Sequence, residues 1–163
     1  MKKSELKLLI SSDEVAGKII RDAAELEWYV ELVLTRYFTA QDRFNEFMDV
    51  IIDRMSFFQK IDILRRMKLP TKMKSQPNAV ASLEKLRKIR NILAHSAFIS
   101  DEEIDKLYSD NEVMKILGNY PKSYRSELLA TKNRLNRLLH SHIIRSKKKE
   151  ENNKANKING KNA

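Results

Sequence analysis

Glycine and proline occur only three times each in 163 residues. That scarcity restricts the fold more than any other feature, because a strand-and-turn architecture draws on both residues at its turns. Charged residues make up 33% of the chain and are interspersed with apolar ones. This is the pattern of amphipathic helices that each solvate one face. The length matches about one domain and suffices to bury a core without cross-links. Cysteine is absent, which excludes disulfides and thiolate metal sites and makes a reducing cytoplasm the expected compartment. No run of about 18 apolar residues is present. The start, Met1-Lys2-Lys3-Ser4-Glu5-Leu6-Lys7, lacks the apolar stretch of a secretory signal. Neither a membrane span nor secretion is expected.

The hydrophobic period divides the chain into helices. Ser11 and Glu14 have capping-box spacing. Val15, Ile19, Ala23, Leu26, Val30, Val33 and Tyr37 follow at steps of three and four. Leu26, Trp28, Tyr29, Leu32, Val33 and Leu34 cover most of the circumference of this helix. Such a helix is central in the core or shared with a second chain. A second helical region is expected from about Asp42 to Lys68, with Phe44, Phe47, Ile51, Met55, Phe58, Ile61 and Leu64 in phase and a break near Met55–Phe57. Leu69-Pro70 ends it, because proline disfavours helical geometry in the residue before it. Thr71–Asn78 reads as a polar loop.

A third helix is predicted from roughly Asn78 to His95, with Val80, Leu83, Leu86, Ile89 and Leu93 facing the core. Ser100 and Glu103 repeat the capping-box spacing and open a new element. Short helices are expected over Glu102–Tyr108 and Glu112–Leu117, then a turn at Gly118-Asn119-Tyr120-Pro121. The last helix is read over Lys122–Arg145. Residues 147–163 are Lys, Asn, Glu and Gly with almost no apolar side chain, which predicts a disordered basic tail. The fold class is therefore an all-α, up-and-down bundle of four to five helices over residues 1–146, with short extra helices.

The net charge is +10, and the segment from Arg145 onward holds seven Lys/Arg against two Glu, about half of it. A basic body with a basic tail is compatible with nucleic acid and equally with plain solubility. Lys147-Lys148-Lys149 fits either role. The third helix is the chemically pointed one. Arg87, Asn91 and His95 are four residues apart and form one polar strip, whereas Arg90 lies roughly 140° from His95 on a straight helix. A joint site then needs the helix to end at Ala94 and release His95, or two copies to pool their side chains across an axis.

The run Arg90-Asn91-Ile92-Leu93-Ala94-His95, preceded by Leu86 and Ile89, resembles the Arg-x4–6-His motif of the HEPN superfamily, in which Asn after the Arg is a common form. The stretch Phe57-Phe58-Gln59-Lys60-Ile61-Asp62-Ile63-Leu64, with Ile89 to Ser96 after a loop, is similar to the mannitol-operon-repressor-like branch. The resemblance covers roughly Asp13 to Ser96. It implies a helical bundle that dimerises with the two motifs facing each other. It also implies a metal-independent endoribonuclease of the toxin or defence kind that needs no cofactor. His95 would act as general base toward a ribose 2′-hydroxyl or as acid toward the leaving oxygen. Arg90 would hold the scissile phosphate, and Asn91 would orient His95 or a phosphate oxygen.

The antitoxin-paired members often carry a Tyr two residues after the His. Here that position is Ala97, with Phe98 next, so that subtype is disfavoured. An antitoxin or another regulatory protein is a further expected partner. The alternative functional class is a non-catalytic HEPN-like regulatory module that binds a protein or nucleic-acid partner.

Other groups carry weaker signals. Arg87 and Lys88, with Arg134 and Arg137 on the last helix, are candidate RNA-backbone contacts. A solvated helix face accounts for the last two as well. Arg90 and His95 also suit a helix C-terminus simply as cations. His140 and His142 point roughly 160° apart and do not make a metal pair. Trp28 and Tyr29 read as core or dimer-packing residues. Glu25, Glu27 and Glu31 are either a polar face or partners of Arg87 or Arg90. No Gly-rich phosphate loop, paired catalytic carboxylates or metal-ligand cluster is legible, which leaves kinase, GTPase and metallohydrolase readings without support.

Overall fold

The computed structural model describes residues 1–68, 75–95 and 99–159, the stretch after His140 as backbone only. Among the described residues the chain is all helical. In order it forms α1 (Lys3–Ile10), α2 (Asp13–Phe38), α3 (Phe44–Val50), α4 (Phe57–Arg66), α5 (Ser75–Ala94), α6 (Asp101–Ser109), α7 (Asn111–Leu117) and α8 (Lys122–Asn159). Short 3-10 turns at Gln41–Arg43 and Ile52–Arg54 flank α3.

Helix α2 packs against α4, α5 and α8, and α5 packs against α4 and α8. These four helices enclose the core. Its fully buried side chains include Ile19, Leu26 and Leu34 of α2, Ile61 and Leu64 of α4, Leu83 and Ile89 of α5, and Leu135 and Leu138 of α8. The predicted apolar stripes of α2 and α5 are the faces that are buried. Burying each such side chain contributes about 1.5–3 kcal/mol.

Local caps set the helix starts. Ser56 and Gln59 form a reciprocal capping box at α4, and Ser100 and Glu103 form the predicted one at α6. At α2 the cap is Ser12, whose hydroxyl accepts from the Val15 amide at 3.4 Å. Ser11 instead closes α1, a helix that the sequence pattern does not announce. Leu6 and Ile10 are fully buried and anchor α1, and Lys7 pairs with Asp101 of α6 at 2.6 Å. A single turn of buried contacts, with Leu8 turned outward, is too short to raise a periodic signal.

The second helical region is not one helix. The chain kinks through the two 3-10 turns. Ile52, not Ile51, is buried, and Phe58 is 51% exposed. The loop expected over Thr71–Asn78 is shorter on its C-terminal side, because α5 begins at Ser75. Leu69-Pro70 and residues 71–74 lie outside the described residues. Gln76, in the first turn of α5, donates to the carbonyl oxygens of Leu64 (2.6 Å) and Met67 (2.8 Å) and so caps the end of α4.

Helix α8 runs past Arg145 as far as Asn159. The backbone over 147–159 is therefore helical where composition predicts disorder. Lys and Glu are good helix formers, and a helix leading out of a folded body is already nucleated. Gly118, at the α7–α8 corner, has no room for a side chain: a Cβ there would collide with the Met114 carbonyl oxygen.

One charged side chain is built into the core face of α4. Lys60 is 3% exposed, and its ammonium donates to Glu27 at 2.7 Å and Glu31 at 2.5 Å, one turn apart on α2. Glu25 reaches Lys132 of α8 at 2.6 Å. The α2 carboxylates therefore serve Lys60 and Lys132, not Arg87 or Arg90. Trp28 is half exposed and meets Tyr29 edge-on at 5.3 Å, so its core placement does not hold within a single chain.

Candidate functional site

Helix α5 ends at Ala94, and His95 stands in the turn that follows. Its amide still donates to the Ile92 carbonyl at 3.2 Å, closing a 3-10 turn narrower than the helical ladder. The imidazole is exposed. Of the two geometries that free His95 from the straight-helix wheel, the helix end is the one present in the single chain.

Arg90 is exposed too, and its guanidinium does not follow its Cβ direction outward. Nη1 donates to the Asn91 side-chain oxygen at 3.0 Å. The Arg90 charge is thereby drawn toward the strip that Asn91 shares with His95. In the single chain the Asn91 side-chain oxygen is thus engaged by Arg90.

Arg87, Lys88 and Asn91 line one open groove of about 510 Å³, together with Glu84, Lys85 and Ile92. Three of the charged side chains in the groove are neutralised across its walls. Glu84 pairs with Arg65 of α4, Lys85 with Glu112 of α7, and Lys88 with Asp110 at the start of α7. Bonding to Lys88 comes first among the causes that hold Asp110 below the usual carboxylate range. Bonds to Lys115 and then Lys85 hold Glu112 down at about 2. Arg87 differs. It makes no ion pair among the described residues, and its guanidinium carbon sits 5.1 Å from the centre of the Phe58 ring. Its Nε is buried without a hydrogen-bond partner.

The α8 candidates lie apart from this groove. Arg134 donates to Ser82 at 2.6 Å and stands 3.7 Å from Glu127, so it is engaged in the α5–α8 contact. Arg137 is exposed on α8. His140 bonds back to the Asn136 carbonyl at 2.8 Å, and the His142 side chain lies outside the described residues, as do Ala97 and Phe98. Among the described residues no group of three or more His, Asp or Glu is placed to hold a metal ion. No helix among them is long and apolar enough to cross a membrane.

Sequence reasoning missed Lys60 and misread Phe58. Lys60 carries a legible signal: it stands one turn before Leu64, on the core stripe of α4, where an unpaired charge would be costly. Phe58 shares the apolar period with Met55, Ile61 and Leu64, yet its ring is 51% exposed. No family model matches the chain, and no curated protein or solved structure does.

Proposed function

We propose that the chain is an HEPN-like, metal-independent endoribonuclease, with Arg90, Asn91 and His95 as its reacting and holding groups. The single observation that carries this reading is the end of α5. The helix stops at Ala94, immediately before His95, and Arg90 is bonded to Asn91 in its last turns. A cation and an imidazole, both exposed, are thus brought to one helix end.

In the proposed reaction His95 takes the proton from a ribose 2′-hydroxyl. That oxygen attacks the adjacent phosphorus, and the bond to the 5′-oxygen breaks. The products are a 2′,3′-cyclic phosphate and a 5′-hydroxyl. The leaving oxygen takes up a proton from a protonated imidazole or water. Arg90 stabilises the charge that develops on the phosphate oxygens, and Asn91 keeps the guanidinium turned toward it. Arg87 and Lys88 line the approach. The active form is a homodimer, which would bring a second Arg90 and His95 to the axis. The half-exposed Trp28 and the exposed Leu129 supply apolar surface for it.

The test is cleavage of a mixed RNA pool in EDTA by purified wild type, His95→Ala and Arg90→Ala. The expected result is EDTA-resistant cleavage in the wild type that falls at least about a hundredfold in each variant. Equal background in all three overturns the nuclease and leaves the non-catalytic regulatory module.

A further inference from the structure

We propose that Phe58 and Arg87 form a stacking step for an unpaired nucleobase, so that the α5 groove takes single-stranded rather than duplex RNA. The inference rests on reading the groove as the RNA side of the molecule. Its own support lies in the pairing pattern and in the ring.

Glu84, Lys85 and Lys88 are each matched by an opposite charge on α4 or α7. Among the described residues Arg87 meets no carboxylate, and its guanidinium lies over an aromatic face. That ring is itself 51% exposed. It stands in the first turn of α4, behind the Ser56–Gln59 capping box, whose backbone bond is 2.8 Å. The turn is thereby fixed, and the ring is presented at a defined height beside the groove. A rigid aromatic with a guanidinium plane beside it is a platform for a flat, electron-rich ring. Every nucleobase has such a face, so the platform does not depend on sequence. In a duplex those faces are already stacked, and only a splayed or single strand offers them. Arg87 also carries free positive charge for a neighbouring phosphate.

The experiment uses the full chain as His95→Ala and a short labelled RNA whose sugars are 2′-O-methylated, so that no cleavage intervenes. Binding is read by fluorescence anisotropy. Phe58→Leu is expected to weaken binding about tenfold, Phe58→Tyr to leave it near the parent value, and Arg87→Lys to weaken it. A strand of the same length with abasic residues throughout is expected to lose a similar factor against the parent and to lose nothing further against Phe58→Leu. Equal affinity of Phe58→Leu and its parent overturns the inference. Equal affinity for a duplex, or no binding of any oligonucleotide, also overturns it. Failure of the nuclease reading looks different: Phe58-dependent binding persists while the wild type cleaves nothing. Cleavage with an unchanged KM in Phe58→Leu would keep the nuclease and remove the stacking step.

Discussion

Replacing Lys60 with Met removes the ammonium from between two carboxylates and keeps most of the side-chain volume. The oxygens of Glu27 and Glu31 lie 2.7 Å and 2.5 Å from Nζ. They are therefore about 5 Å apart at most, and two unit charges at that separation repel by about 3 kcal/mol at an effective dielectric of about 20. Glu31 keeps 14% of its side chain exposed and Glu27 keeps 27%, so water reaches Glu27 first and part of the repulsion relaxes by rotation. The expected loss is about 2–4 kcal/mol, at or below the range for breaking a buried pair. For a chain of this size that is a fall in Tm of roughly 5–12 °C. Thermal unfolding followed by circular dichroism measures it.

Adding Glu31→Gln to Lys60→Met removes one of the two repelling charges and should recover about half of the deficit or more. Acidifying the single variant toward the carboxylate range should shrink the deficit for the same reason. In the wild type, burial pulls Lys60 down, but bonds to Glu27 and Glu31 outweigh it and the net shift is upward. Its contribution is therefore complete below the ordinary lysine value and fades only as pH climbs through the raised one. A Lys60→Met protein that melts within about 1 °C of the wild type, or a double variant less stable than the single, would refute the reasoning.

Two further outcomes concern the clamp beside the groove and the proposed dimer. Glu112 is held at about 2, against an ordinary value of 4.5, by bonds first to Lys115 and then to Lys85; its contribution is present above 4.5 and is lost as pH falls toward about 2. Lys115→Ala should raise its titration midpoint, followed by NMR, more than Lys85→Ala does, and an unmoved midpoint in both would show that neither lysine is its partner in solution. Light scattering at high micromolar concentration should give a dimer mass for the wild type and a lower one for Trp28→Glu; a monomer mass for the wild type contradicts the dimer.

Short-range signals in the sequence were the legible ones. The α6 cap is specified by two residues three apart, Ser100 and Glu103, and it forms as read. The buried stripe of α5 is likewise a property of one uninterrupted helix. Elements whose order comes from distant partners were not legible. Helix α1 is held by α6, whose Asp101 and Asp105 follow it by about a hundred residues. Phe58 turns outward in the first turn of α4, while Ile61 and Leu64 beyond it are buried as read. At the candidate site a straight wheel applies only as far as Ala94, where α5 ends. It did not foresee where a long side chain ends: Arg90 crosses to Asn91 by its own reach. The partners of Lys85 and Lys88 on α7 have no sequence signal at all, since they meet α5 only in the fold.

The Lys60 contact also acts as a register mark. Apolar stripes on two helices fit almost as well after a slide of one turn, about 5.4 Å. On α2 such a slide in one direction would exchange Glu27 for Thr35 beside the ammonium. In the other it would exchange Glu31 for Ala23. Only the observed alignment gives the buried cation two carboxylates, so Lys60 tells α4 where along α2 to stop. Phe58 rides on that same helix. The height of its ring beside the α5 groove is thus set from inside the bundle, by a lysine that never meets solvent.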